Sequence, residues 1–340
     1  MPRSKKITCT STGTWSQVLG TSPLNGNNSQ MLTEPGPRPS FAPRNWPGWL
    51  LLCLLWLMGQ SPPALVRFLS HPLGWLMRIL MASRRKVAQR NLERCFPEFD
   101  AKRIQQILKA NFVYLARAAF EMAWSWSAPK SRIARIGQVV GMEHMVAANR
   151  SGRGILCVSL HNTCLEIGAN LMGEELLRQK VHAAGIYRPL KNPVIEWFQN
   201  RGRLAFTNGM ISKRNLRSAV RQLKQGTLIW YAPDQDFGPD QTAFAPFFGI
   251  QTASLLATHK LAKLTSCAVI PMYPLYDPVS KQYRVTILPA LQDFPSDDEM
   301  ADLRRINQLI EDIIRLAPEQ YWWVHRRFKT RPPGEAPFYS

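Results

Sequence analysis

The chain has 340 residues, 45% of them hydrophobic, enough for one large domain with an appendage or for two domains. Its 43 Lys and Arg against 23 Asp and Glu leave a formal charge of +20, so anionic partners are expected: nucleic acid, an anionic membrane surface, or acidic substrates and proteins. No helix-turn-helix, zinc-finger or RNA-recognition pattern is visible, and the basic residues interleave with Trp, Leu and Phe, which argues against nucleic acid. The six cysteines show no paired pattern, so they read as small buried hydrophobes in a reducing compartment rather than as a disulfide framework.

Residues 1–45, rich in Ser, Thr, Gly, Asn and Pro, read as a disordered tail, within which Met31 offers an alternative start. The uncharged run from Trp46 to Met58 is short of the ~20 residues a full span needs. Gly59 to Pro63 interrupts it, and Ala64 to Leu69 resumes with Arg67 inside. Residues 46–69 are therefore expected to anchor the chain to a membrane, as a kinked transmembrane helix or as a helix lying in the interface. The plain alternative is a buried core helix. Arg67, Arg78, Arg84, Arg85, Lys86 and Arg90 follow closely, and the positive-inside bias puts that flank and the domain after it in the cytoplasm.

Residues 70–340 are read as one domain, with a helical lead-in over 70–130, an α/β core over 140–325 and a basic C-terminal segment over 321–340. In the lead-in, Ile104, Ile107, Leu108, Phe112, Leu115 and Ala119 share one face, predicting an amphipathic helix from Lys102 to Trp126. From Gly154 onward strands are expected at 154–160, 181–186, 227–232, 267–273 and 283–288, and helices at 164–178, 193–201, 214–225, 253–264 and 299–316. This alternation predicts an α/β fold: a central mixed, mostly parallel sheet covered by helices, preceded by an N-terminal membrane-associated helix.

The phrase His161-Asn162-Thr163-Cys164-Leu165-Glu166 follows the first of these strands directly. An imidazole at a strand tip and a carboxylate on the first turn of the next helix can form a proton-abstracting pair. The imidazole takes the proton while the acid fixes its tautomer and stabilises its cation. No protein nucleophile is needed if the substrate brings its own hydroxyl. Taken alone the spacing is a weak pattern. Cys157, His161 and Cys164 do not converge and lack a fourth ligand, so no metal is expected.

Four further phrases carry chemistry. Tyr187-Arg188-Pro189 leads to Asn192-Pro193, and Arg188 would emerge at the same sheet end as His161, where a guanidinium can clamp a phosphate or carboxylate. Pro233-Asp234-Gln235-Asp236-Phe237-Gly238 sets two acids in a loop, either as turn formers or as groups that orient a substrate. Pro246-Phe247-Phe248-Gly249 reads as packing or as the wall of an acyl site. The stretch from Tyr321 to Pro332 interleaves aromatics with Arg326, Arg327, Lys329 and Arg331, a basic patch that fits lipid heads or an acidic carrier protein. The helix 214–225, with Arg214, Arg217, Arg221 and Lys224, offers another docking face.

In this order the phrases resemble the lipid A late acyltransferases, the lauroyl and myristoyl transferases of Gram-negative lipopolysaccharide synthesis, within the lysophospholipid-acyltransferase-like superfamily. The resemblance runs from residue 46 to residue 338. It implies transfer of a fatty acyl group from acyl carrier protein to a hydroxyl on a 3-hydroxyacyl chain of a lipid A precursor. It also implies attachment to the inner membrane with the catalytic face in the cytoplasm. His161 would be the general base and Glu166 would orient it, with no cofactor beyond the acyl carrier thioester as co-substrate. Arg188, with Asn192, would bind substrate, and Asp234 and Asp236 would organise the site. Arg326, Arg327 and Lys329 would contact carrier or lipid heads. Two other readings stay open: a lysophospholipid acyltransferase using acyl-CoA, and a non-enzymatic basic membrane-surface protein.

Overall fold

The computed structural model describes residues 31–239 and 241–339. Its strands are β1 (Gly137–Val140), β2 (Ile155–Val158), β3 (Ala183–Tyr187), β4 (Gly209–Ser212), β5 (Leu228–Tyr231), β6 (Thr242–Phe247), β7 (Ile250–Leu255), β8 (Ala268–Asp277) and β9 (Gln282–Ile287). Seven of them form one sheet in the order β1-β9-β8-β2-β5-β3-β4, while β6 and β7 make a separate hairpin. Only the β8–β9 pair in the large sheet is antiparallel. Parallel strands are covered on both faces, which is why β2 reads Ile-Leu-Cys-Val with every residue buried.

All five expected strands are present. The edge strands β1 and β4 and the β6–β7 hairpin were not foreseen. Four-residue edge strands are too short to show a period. The hairpin turns at Phe248 and Gly249, both at positive φ (51° and 72°), as a two-residue turn requires. The hairpin also takes residues 253–255 from the helix expected at 253–264.

The helices are α1 (Trp46–Gln60), α2 (Pro63–Leu80), α3 (Ala82–Cys95), α4 (Ala101–Ser127), α5 (Lys130–Ile136), α6 (Met142–Arg150), α7 (Leu165–Arg178), α8 (Pro193–Leu204), α9 (Leu216–Lys224), α10 (Ala257–Thr265) and α11 (Glu299–Leu316). Alternate strand residues face opposite layers. Leu156, Val158, Ile229 and Val269 pack with Ala219 and Leu223 of α9 and with Ile306, Ile310 and Ile313 of α11. Ile155, Cys157, Leu228 and Ile270 pack with Ile167 and Leu171 of α7.

Two expectations for the N-terminal region need correction. Residues 31–45 are not part of a disordered tail: Leu32 exchanges backbone bonds of 2.7 and 2.8 Å with Met210, covering the exposed edge of β4, and Phe41 stacks on Trp49 at 4.5 Å. Residues 1–30 of that tail lie outside the described residues. Nor is the stretch from Trp46 to Leu69 one kinked helix. The chain breaks into α1 and α2 at Ser61 and Pro62, both extended, and α2 runs past the expected boundary to Leu80. Among the described residues no helix is long and apolar enough to cross a membrane.

Both helices instead lie against α4 with small residues inward and large apolar ones outward. A side chain at Gly59 would strike the Ala123 carbonyl, and Gly74 faces the backbone of Phe112 and Val113. Outside, Leu50, Leu54, Leu57, Phe68, Trp75 and Leu80 are all exposed, Leu50 and Leu80 to 73%. An apolar surface of this extent on neighbouring helices marks an interaction face, and a buried core helix is excluded.

A Cβ at Gly74 would sit 2.7 Å from Val113 Cα and 2.8 Å from the Phe112 carbonyl oxygen. Gly74→Leu is expected to cost about 1–3 kcal/mol, the usual penalty of overpacking. Thermal unfolding in detergent should show a lowered midpoint; an unchanged midpoint would mean α2 and α4 are not held so close.

Candidate active site

β2 and β5 are neighbours, with Val158 paired to Tyr231. Three residues beyond each partner stand His161 and Asp234, so the sheet brings them abreast at its C-terminal edge. Asp234 is 2% exposed. Its Oδ1 lies 2.7 Å from His161 Nδ1, and its Oδ2 accepts the His161 backbone N–H at 2.9 Å. Burial alone would raise the Asp234 carboxyl, but the adjoining imidazole and these hydrogen bonds outweigh it and hold the group below the usual carboxylate range. An ionised acceptor at Nδ1 favours the tautomer with its proton on that nitrogen, leaving Nε2 with a lone pair. The His161 side chain is 29% exposed and lines an open groove of about 610 Å³.

Glu166 does not do what was expected of it. It falls on the first turn of α7, as predicted, but its carboxylate turns toward α8. Arg203 Nε donates to Oε1 at 2.8 Å and Arg203 Nη2 to Oε2 at 2.7 Å, and Trp126 Nε1 donates to Oε1 at 2.6 Å. Burial would raise this carboxyl too; the Arg203 charge prevails and lowers it. The partner of His161 is thus Asp234, from a different strand, and Glu166 instead anchors a guanidinium. Arg203 lines the groove that holds His161, together with Tyr187, Arg188, Lys213, Arg214, Trp230 and others. Arg203 is absent from the phrases that carry chemistry in the sequence; it lies 37 residues from Glu166, and no local spacing links the two.

A narrow apolar slot adjoins the groove. Ala169, Gly173 and Leu176 of α7 form one wall, and Ala183, Ala184 and Gly185 of β3 with Leu228 and Trp230 of β5 form the other. Glu166, Ile186, Tyr187 and Arg203 stand at its groove end. From Glu166 to Leu176 it follows α7 for roughly 15 Å at 1.5 Å per residue.

The C-terminal segment supports His161 from behind. Trp322 N–H donates to the His161 carbonyl at 3.2 Å, and Thr163 N–H to the Gln320 carbonyl at 2.8 Å. Asn111 of α4 holds the carbonyls of Glu319 and Tyr321, and Asn91 of α3 those of Trp323 and His325. Asn162 Nδ2 donates to the Pro274 carbonyl on β8. The loop that carries His161 is therefore clamped from both sides.

The remaining residues named from the sequence are placed as follows. Arg327, expected at the surface, is 3% exposed and donates to the Ala253 carbonyl and Ser254 Oγ of β7. Arg326 and Lys329 are exposed as expected. Asp236 accepts from Thr330 N and Oγ1 and donates its own N–H to His325 Nε2, so it ties the loop after β5 to the C-terminal segment. Burial holds His325 below its usual value, consistent with an unprotonated accepting nitrogen. Asn192 caps α8, its Oδ1 accepting from Val194 and Ile195 N–H, and it packs beside Gly48 of α1. Arg188 is exposed on the groove.

Comparison with known proteins fits this arrangement. Residues 37–330 match the family model described as bacterial lipid A biosynthesis acyltransferase. The chain is 38% identical over 293 residues to a lipid A biosynthesis lauroyltransferase of Escherichia coli (strain K12), covering 86% of this chain and 94% of that one. It is 37% identical over 303 residues to a lipid A biosynthesis palmitoleoyltransferase of the same organism, covering 89% and 97%. A crystal structure of the 1-acyl-sn-glycerophosphate (LPA) acyltransferase from Thermotoga maritima matches at a TM-score of 0.32 and 16% identity, over 74% of this chain and 96% of that one, a likeness too slight to bear on substrate. The chain belongs to the bacterial lipid A biosynthesis acyltransferase family. It is an acyltransferase of lipid A biosynthesis.

Because the folded-state Asp234 is held below its ordinary value, its ionisation stabilises the fold above that value and ceases to do so as pH falls through the depressed one. Asp234→Asn should therefore melt below wild type near neutrality, with the gap closing under strongly acid conditions. Thermal scans across pH check this; a gap independent of pH would contradict an ionised Asp234.

Proposed function

We propose that His161 is the general base of acyl transfer and that Asp234, not Glu166, orients it. The observation that carries this reading is the 2.7 Å contact between His161 Nδ1 and a buried, ionised Asp234, with the imidazole open to the groove. His161 Nε2 takes the proton of an acceptor hydroxyl on a 3-hydroxyacyl chain of the lipid A precursor. The oxygen attacks the thioester carbonyl of an acyl carrier protein directly, Asp234 stabilises the imidazolium, and as the C–S bond breaks the imidazolium returns its proton to the leaving sulfur, which departs as the thiol. Arg203, fixed by Glu166, supplies positive charge on the groove wall where the carbonyl oxygen becomes negative. Arg188 stands where it can bind an anionic group of the precursor. The apolar slot beside the groove is the natural seat for the fatty chain. Its lining suits hydrocarbon, and its polar end carries Glu166 and Arg203. No cofactor enters these steps.

A covalent route through Cys164 has little support. The thiol is buried and burial pushes it well above its usual value, so a thiolate is not available.

The exposed faces of α1 and α2 support attachment to a bilayer by lying in its interface. We assign that bilayer to the inner membrane, with the catalytic domain on the cytoplasmic side, where a carrier thioester is available. The cations that follow α2, from Arg84 to Arg94, suit an anionic surface.

His161→Ala should lower turnover by about 10² or more with a lipid A precursor and an acyl carrier thioester. Near-normal turnover would remove His161 from this role. Cys164→Ser should stay active, and a trapped acyl-cysteine in the wild type would overturn the direct transfer. Flotation with anionic vesicles should capture the wild type and lose Leu54→Glu/Phe68→Glu; equal capture of both would reject the interfacial face.

A further inference from the structure

The groove has a second distinctive border. Residues 197–233 hold seven Lys and Arg and no Asp or Glu. Of these, Arg203 is paired with Glu166, and Arg217 and Arg221 also have partners. The seven include Lys213 and Arg214, which leave the tip of β4 and line the groove, and Arg217, Arg221 and Lys224 on α9. The three helix positions are spaced by four and three residues, so they share one face and extend the charge of Lys213 and Arg214 along the helix. The opposite face of α9, with Ser218, Ala219 and Leu223, is buried.

This surface differs in kind from the one on α1 and α2. No large apolar side chain from residue 197 to residue 236 is exposed. α9 packs on the layer of the sheet that holds Leu156 and Ile229, whereas α1 packs with Ile195 and Phe198 of α8 in a separate cluster. A face that enters a bilayer needs apolar side chains to insert, and α9 offers none. A face that docks an acidic protein needs exposed cations at the mouth of the site and little else.

We infer that the Lys213–Lys224 surface docks the acidic carrier protein that delivers the acyl thioester, while the α1–α2 face holds the enzyme on lipid. This rests on the reading that the donor is a carrier protein. Docking at α9 puts the carrier body beside the groove and leaves a flexible arm to bring the thioester past Lys213 and Arg214 to His161. The two large partners then approach from different faces and do not compete.

The test compares two donors of the same acyl group: acyl carrier protein and a small pantetheine thioester that has no protein body. With the wild type in detergent, KM for the carrier thioester should rise steeply with salt while KM for the small thioester stays flat. Arg221→Glu/Lys224→Glu should raise KM for the carrier thioester by roughly tenfold or more, with kcat little changed and the small donor unaffected. Unchanged carrier kinetics in the variant, or an equal loss with both donors, would overturn the assignment. Weakened vesicle binding with unchanged carrier kinetics would give the surface to lipid instead and also overturn it. A wild type that uses the small thioester but never the carrier would reject the donor reading itself, a different result from a variant that merely fails to respond.

Discussion

The structure depends on a carboxylate buried at the tips of two neighbouring parallel strands. A buried charge without a partner costs several kcal/mol, so Asp234 has to be met by donors. His161 meets it twice, with its ring and with its backbone N–H. The same two bonds that satisfy Asp234 also fix the imidazole in one orientation, with one nitrogen occupied and the other facing the groove. Satisfaction of the buried charge and orientation of the ring come from one contact.

Much of the remaining architecture serves to hold that contact still. The C-terminal segment pairs with the backbone of His161 and Asn162 and is itself held by Asn91 and Asn111, side chains from helices far away in sequence. Asp236, Thr330 and His325 close the same corner from the other side. The helical lead-in thus has a part in the site: through α3 and α4 it fixes the position of His161. The outer surfaces differ in character, with exposed apolar side chains on α1 and α2 and a basic border around the groove.

The fold was largely legible because buried parallel strands announce themselves as apolar runs, and α4 and α11 carry long helical stripes. The site was legible in its parts but not in its pairing. His161 and Asp234 were each read at the end of a predicted strand. What sequence does not contain is the strand order, and only with β2 beside β5 do the two tips meet. Glu166 looked like the natural partner because it is near in sequence. A residue on the first turn of a helix points where that helix points, and α7 aims it at Arg203. The basic C-terminal stretch misled for a related reason. Charge suggested exposure, yet Arg327 is buried because β7 offers it a carbonyl and a hydroxyl to bond. The break between α1 and α2 is visible as Gly59 to Pro63, but how the two halves pack depends on what α4 presents to them.

Nitrogen NMR of the His161 imidazole, with the signal assigned by substitution, tests the central claim most directly. The wild type should show the ring protonated at Nδ1 and hydrogen-bonded there. That signature should vanish in Asp234→Asn and persist in Glu166→Gln. The reverse pattern, lost with Glu166 and kept without Asp234, would contradict the account.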